Sequence, residues 1–487
     1  MQGASSISRK TTVAVVGTGM AGLVSAYLLN HDPDQRFDVE VFEAQDRLSL
    51  DSASVSVSLK NGGRPARVDQ PMRAFDGGFY PYLKAMYDFL GVDYVPQRFL
   101  FTYSRLSSRS SKQKDMGQEP TKPFFIHSSN NHRIPPLRPD GCGLLEWLSE
   151  IVYLAFCFAF FSICCFFVPP RESKSDDGKS SLGESLGEYL KRIHLPQYFV
   201  QNYLLPPLVS MSTCSHDAML NFPASDVVTY IQRTYNAPHY LVSAGVQEVE
   251  GKLAQDLKIN LGSRVTSVTP SSSSSSTGGV TICWESTTSK STHQRAFDHV
   301  IIAVPPSAVG AIFAPLKQEM LHMPTIPVES VVHTDITPVI ATTQNGSDDA
   351  KTPRLTSRYP SSGAQWIHMR TTTIVNSSTT ETETIHEHPS SVLVTNNPQT
   401  SIDPSKIISR TIFTRTLRTP RSRATVNQIF GDGNRDQGHG SPAWRNGDGN
   451  VWLVGSWCWD GMVLLEGCVV SAMRVADALG IPVPWRS

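Results

Sequence analysis

Gly17, Gly19 and Gly22 form a G-x-G-x-x-G turn, placed directly after an apolar run (TVAVVG) and directly before a second with helical spacing (LVSAYLL). The first glycine permits a tight turn, the second lets the backbone approach a pyrophosphate, and the third lets helix and strand pack closely. Met20 and Ala21 open the helix, whose N-terminal N–H groups and positive dipole end favour phosphate. Glu43 closes a second strand, VEVFE, 21 residues after Gly22, where a carboxylate accepts bonds from ribose hydroxyls. A glycine turn also arises for packing alone, and an acid at a strand end is often only solvated. Strand, turn, helix, second strand and spaced acid occur together here, which is the pattern of a dinucleotide site.

The chain has 487 residues, 40% hydrophobic and 18% charged, with zero formal net charge. That is length for about three domains in a globular composition. A neutral balance gives no electrostatic case for nucleic acid. The eight cysteines are scattered without a C-x-x-C pair, so neither a zinc site nor a disulfide framework is read, and free thiols imply a reducing compartment. The first residues, MQGASSISRK, lack the apolar stretch of a secretory signal. The cytoplasmic side of the cell is therefore expected, and the sequons at Asn345 and Asn376 read as silent.

Further along, PYLKAMYDFLGV reads as a helix ended by Gly91, residues 101–140 as a polar loop or insertion, and 185–260 as largely helical. SSSSSSTGG at 271–279 reads as a hairpin loop, while the Ser/Thr-rich stretch 341–405 and the Gly/Asn/Asp-rich stretch 431–450 read as surface insertions.

Glu43-Ala44 followed by Arg47 resembles the E-x-x-x-R continuation of the flavin amine oxidase and phytoene desaturase-like superfamily of FAD enzymes. The C-terminal stretch GNVWLVGSWCWDGMVLLEGCVVSAMRVADALG resembles its closing segment. That resemblance implies FAD as cofactor, with Gly455 and Ser456 near its ribityl-phosphate chain. It also implies that Leu465, Glu466 and Gly467 begin a helix under the flavin, Gly467 lacking a side chain beside the ring. GVQEVEGKLAQDLKINLGSRVTSV resembles the helix and strand before the adenine contact, implying backbone bonds from Val265, and FDHVIIAVPP resembles the strand returning to the sheet, implying Ala303 and Pro305 beside the cofactor. VDQPMRAFDGGFYPYLKAMYDFLGV and VVHTDITPV resemble a subgroup of predicted FAD/NAD-binding oxidoreductases, in which Arg73 is a candidate phosphate or flavin contact; its other reading is a surface cation. The sequence departs from the family where Leu48-Ser49-Leu50-Asp51 replaces a G-G-R loop and where Trp457 replaces an acid. The family's lysine near flavin N5 has no clear counterpart, although Lys351 lies in the corresponding region.

Ile151 to Val168 runs eighteen residues without a charge, as a helix roughly 27 Å long and near the thickness of a bilayer's hydrocarbon core. A full crossing would part Gly17 from Gly455, which one FAD site forbids. The run is therefore read as a monotopic membrane contact, a re-entrant hairpin or a buried, channel-lining helix. A lipid-facing element beside the substrate domain suits a lipophilic small-molecule substrate.

No Ser-His-Asp arrangement or metal-spaced cluster stands out, so no metal is expected. His333, Asp335 and Trp457 are weak catalytic candidates, the first two reading more readily as a satisfied strand histidine and a turn acid, and the third equally as core. The expected fold is α/β, a discontinuous Rossmann-like FAD-binding domain (10–100, 243–305, 445–487) with a mixed α+β substrate domain (101–242, 306–444). The leading expectation is oxidation of a C–C or C–N bond by hydride transfer to flavin N5. The alternatives are an amine oxidase releasing hydrogen peroxide and a non-catalytic escort protein of the same fold; an NAD(P)-only dehydrogenase is disfavoured by the two-ended site. Oligomeric state is not legible.

Overall fold

The computed structural model describes residues 9–58, 65–107, 122–128, 136–172, 182–271, 279–339, 363–375, 379–431 and 444–486. Lys351, Asn345 and Asn376 lie outside them, as do most of the loop at 271–279 and of 431–450.

Val13 to Val16 are buried on both faces of the first strand, β1 (Thr11–Val16), as expected of a strand inside a parallel sheet covered by helices. β1 pairs in parallel with β2 (Phe37–Phe42) and with His299–Ile302, and the sheet is completed by Lys258–Asn260 beyond β2 and Val451–Leu453 beyond His299–Ile302. Segments from the beginning, middle and end of the chain thus share five strands. Helix α1 (Met20–Asn30) makes the right-of-way between β1 and β2 and packs on the C-terminal helix Leu465–Ala478. Gly91, at φ 64°, ends helix α2 (Pro81–Leu90), a left-handed position suited to glycine.

A second sheet has seven strands, ordered Ile407–Thr416, Thr325–His333, Leu393–Asn396, Thr379–Glu387, Gln365–Ile374, Phe99–Arg105, Phe125–Ser128. This corrects the reading of 341–405 as a surface insertion: its described part supplies three central strands. The physical reason is that Thr is β-branched and fits a pleated surface, and its hydroxyl is satisfied across strands. Thr382 Oγ1 bonds His216 Nε2 at 2.8 Å, His368 bridges Thr102 and Glu387 at 2.9 and 2.8 Å, and Arg370 pairs with Glu383 at 3.2 Å, all buried. The reading of 101–140 as loop is corrected likewise, since Phe99–Arg105 and Phe125–Ser128 are paired strands.

Helices cover one face of this sheet. The longest is α3 (Leu144–Phe167), 24 residues, which packs on the helix Ala224–Thr234. Leu186–Arg192 beneath it carries a full capping box from Ser185 and Glu188.

Candidate functional site

The glycine turn is locally over-determined. Gly17 holds φ 103°, and a Cβ on Gly22 would stand 2.0 Å from the Gly17 carbonyl oxygen and 3.0 Å from the Ala303 methyl. A Cβ on Gly19 would meet nothing within 4 Å, so the middle glycine faces open space, the side from which a phosphate approaches. α1 begins there with Gly19 as N-cap, no capping side chain and no acid in its first turn. The C-terminal helix starts beside it, equally without a side-chain cap at Leu464. Two helix N-termini therefore turn partial positive charge toward one place.

That place is the end of a cavity of about 1310 Å³, to which Gly19, Met20, Arg73, Ser456, Leu465 and Cys468 contribute. Arg73 donates to the Leu50 carbonyl at 2.7 Å while its Nε is buried without a partner. Arg415, at the end of the strand Ile407–Thr416, has one long contact, 3.4 Å to the Met211 carbonyl. Among the described residues neither arginine has a carboxylate within ion-pair distance. Burial pulls Arg415 below its usual pKa, with the Tyr80 hydroxyl opposing. Cys468, within reach of both cations and of the Ala21 N–H, is pushed up to about 12 by burial and stays a neutral thiol.

The remaining predicted positions sort by place. Gly17, Ala21, Gly22, Ala303 and Gly455 are not among the residues lining the cavity; Ala303 donates to the Val16 carbonyl at 2.8 Å, and Gly455 receives and gives bonds at Ser471. Glu43 is buried against the turn, its carboxylate accepting from the Thr18 N–H at 3.0 Å, the Thr18 hydroxyl and the Gln45 N–H at 3.0 Å. Val265 lies close by, on a strand that starts by donating from Ser263 to the Glu43 carbonyl, with a bulge immediately after it. Ala44 is half-buried between them, while Arg47 is exposed and pairs with Asp46. Arg73 belongs to the cavity wall, which removes the surface-cation reading.

Several expectations are corrected. Glu466 turns away from the cavity and caps α2 instead, accepting from the Tyr82 and Leu83 N–H groups at 2.9 Å each; burial raises its pKa to about 7 against those bonds. Gly467 needs its missing side chain for protein packing, because a Cβ would lie 2.4 Å from Trp459 Nε1 and 2.5 Å from the Ser456 carbonyl oxygen. His333 and Asp335 do not reach the cavity. His333 is fully buried and bonds Thr395 at 2.7 Å on the sheet face opposite Val394 and Asn396, and Asp335 caps Thr337 and pairs with Lys406. Trp457 is packed into the core behind the loop.

What the residue pattern did not single out is the chamber itself. Alternate residues of the seven-stranded sheet line it: Phe99, Phe101 and Tyr103, then Ile367 and Met369, Thr384 and His386, Val394 and Asn396, Phe413 and Arg415. The period of two was readable in FLFTYSR, as was an aromatic-cation alternation in TRT after Phe413. Arg418 was missed as well. Fully buried, it gives Nη2 to the carbonyls of Trp457, Trp459 and Gly461 at 3.1, 2.9 and 3.2 Å and lies 3.9 Å from Asp226, pinning the loop that leads to Leu465. The lining has no lysine among the described residues.

An anionic, hydrogen-bonding ligand fits this end of the cavity, which offers it an open glycine turn, two uncapped helix ends and an unpartnered Arg73 Nε. Comparison with known proteins agrees. Residues 179–480 match the family model of flavin containing amine oxidoreductases, and residues 15–90 match that of NAD(P)-binding Rossmann-like domains. Cyclohexylamine oxidase from Brevibacterium oxydans IH-35A is similar in structure, with TM-score 0.53 and 13% sequence identity over 97% of this chain and 100% of that one; at that identity the likeness concerns the fold. No curated protein matches in sequence.

Proposed function

The chain belongs to the flavin containing amine oxidoreductase family, and on that premise we propose that it binds FAD and oxidises a C–C or C–N bond of a lipophilic small molecule. The observation that carries this is the cavity: one end offers an open glycine turn, two helix N-termini and Arg73 to an anionic ligand, and the chamber continuing from it is walled by Phe99, Phe101, Tyr103, Phe125, Leu154 and Phe158. FAD bound there would supply two-electron acceptor chemistry.

The chain's own residues supply binding and shape. The N–H groups of α1 and the Arg73 guanidinium offset phosphate and ring-carbonyl charge. Glu43, beside the turn, and the backbone at Val265 would receive the ribose and adenine. The sheet face holds an apolar substrate flat, and Arg415, Thr384 and Asn396 give one polar patch for a head group. Oxidation removes a hydride and a proton from the substrate, the proton leaving to solvent or a basic group of the substrate. The eight cysteines, all unpaired, support a reducing, cytoplasmic-side location.

Reconstitution with FAD tests the first half: a yellow protein with flavin absorbance is expected, and a colourless one overturns the reading. Anaerobic flavin bleaching tests the second, with cyclohexylamine, dodecylamine, oleic acid and a short polar amine as probes. Bleaching by the long-chain probes supports the proposal, and bleaching by the short polar amine alone refutes it. Hydrogen peroxide released in air with the amines only would select amine oxidation over carbon–carbon desaturation.

A further inference from the structure

α3 carries apolar side chains on two faces. Leu154, Cys157, Phe161, Cys164 and Cys165 are buried against the protein. On the other side Leu145, Val152, Phe156, Ile163 and Phe167 are 82, 70, 71, 57 and 79% exposed. Their offsets of 7, 11, 18 and 22 from Leu145 put all five in one stripe of a 3.6-residue helix, about 36 Å long for 24 residues. Monomeric soluble proteins rarely leave so continuous an apolar strip in water. The helix carries two acids, both in its N-terminal third: Glu146, exposed beside Leu145, and Glu150, held by the hydroxyls of Tyr198 and Tyr203; from Ile151 onward it has no charge.

The entrance of the cavity lies in this stripe. Ile163, Phe166 and Phe167 are at once exposed and part of the cavity lining, and Tyr235, 50% exposed, faces them with its ring 5.7 Å from that of Phe166. A second protein seated on the stripe would cover Ile163 and Phe167 and close the entrance. A lipid leaflet would cover the same side chains and leave the entrance open to anything dissolved in it. Spanning is excluded, because β1 precedes α3 and Val451–Leu453 follows it, yet both belong to one sheet. An apolar helix held flat on a protein by its other face is the interfacial arrangement.

We propose that α3 seats the protein monotopically in a lipid leaflet, and that its substrate is an acyl-chain molecule drawn from that leaflet through the mouth framed by Ile163, Phe166, Phe167 and Tyr235. The substrate half of this rests on the chamber being the oxidation site; the docking half does not.

The test uses the full chain with FAD and phosphatidylcholine vesicles carrying a diazirine in one acyl chain. The protein is expected to float with the vesicles. A Leu145→Glu/Val152→Glu/Phe156→Glu variant, altered only at exposed positions outside the cavity lining, should lose at least tenfold in the vesicle-bound fraction with its flavin absorbance and melting temperature unchanged. Leu321→Glu, at an exposed leucine elsewhere (75%), should bind as the parent does. Irradiation should place adducts on cavity residues such as Phe158 and Phe101 as well as on the stripe. Protein left in the lipid-free fraction overturns docking, as does a vesicle-free dimer that the triple variant converts to monomer. Adducts confined to the stripe overturn the route. A yellow protein that ignores vesicles sinks this proposal alone, whereas a colourless protein that floats sinks the flavin reading alone.

Discussion

Gly19 and Gly22 stand three positions apart and answer to different constraints. At Gly22 the protein itself occupies the Cβ position, 2.0 Å from a backbone oxygen, so Gly22→Ala must shift the turn against β1 and should cost about 1–3 kcal/mol of stability even without cofactor. At Gly19 φ is −68° and the space is open. Gly19→Ala should therefore leave the cofactor-free protein within about 1 kcal/mol of the parent and show its effect as lost flavin occupancy. Melting curves of the stripped proteins, set beside the flavin-to-protein absorbance ratio after reconstitution, separate the two; equal destabilisation of both would refute the assignment. Arg415→Met removes a half-buried cation that has no carboxylate partner among the described residues. The stripped protein should melt no lower than the parent, while binding of whichever ligand group Arg415 meets weakens by about ten- to a hundredfold, as for a lost charge-assisted bond. A melting point several degrees lower would mean that Arg415 is structural.

Two ties between elements decide how the C-terminal segment meets the cavity. Arg418 is one, holding three loop carbonyls and facing Asp226, whose pKa burial raises to about 6 against the pull of Arg418 and Arg423. Arg418→Met frees the loop carbonyls and removes one of the two cations beside Asp226, leaving Arg423 at 3.2 Å, so a loss of about 1.5–3 kcal/mol is expected, together with reduced flavin retention. A melt within 1 kcal/mol of the parent would rule the clamp out. Glu466 is the other, joining the C-terminal helix to the N-terminus of α2, 384 positions earlier. A glutamine there keeps one of the two N–H bonds and removes the charge.

For the whole molecule, buried titrating groups pull stability in opposite directions with pH. Burial lowers His216 and His333 to about 4, and burial with the neighbouring His388 and His368 lowers His386 to about 3. Their folded values lie below the unfolded one, so the stability they confer is complete above about pH 6.5 and is lost as pH falls through the folded values. Glu466, raised to about 7, does the reverse: its contribution is full below about 4.5 and is lost as pH rises to 7. The parent should therefore lose melting temperature from pH 6.5 to 4 with Glu466 partly offsetting the histidines, and Glu466→Gln should steepen that acid limb. A variant curve parallel to the parent's would show that Glu466 does not titrate in this range.

The glycine turn, its flanking strands and helix, and the apolar run were all legible because the forces that fix them act within a few residues. Gly17 and Gly22 constrain each other across five positions, and an uncharged stretch declares its burial or lipid contact by composition. The family resemblance also carried the joining of both chain ends, and the parallel sheet makes that joining physical. Facing was not legible. His333 and His386 are both strand histidines, yet one packs behind the sheet and the other lines the chamber, because the parity of a strand against its sheet is set by its partners. Arg415 and Arg418 lie three residues apart, one open to the cavity and the other locked to loop carbonyls. Glu466 sits where a cofactor ligand was expected, and only the arrival of α2, with two N–H groups that had no other acceptor, claimed its carboxylate. Local chemistry wrote the dinucleotide turn; long-range packing chose which charged side chains remain for a ligand.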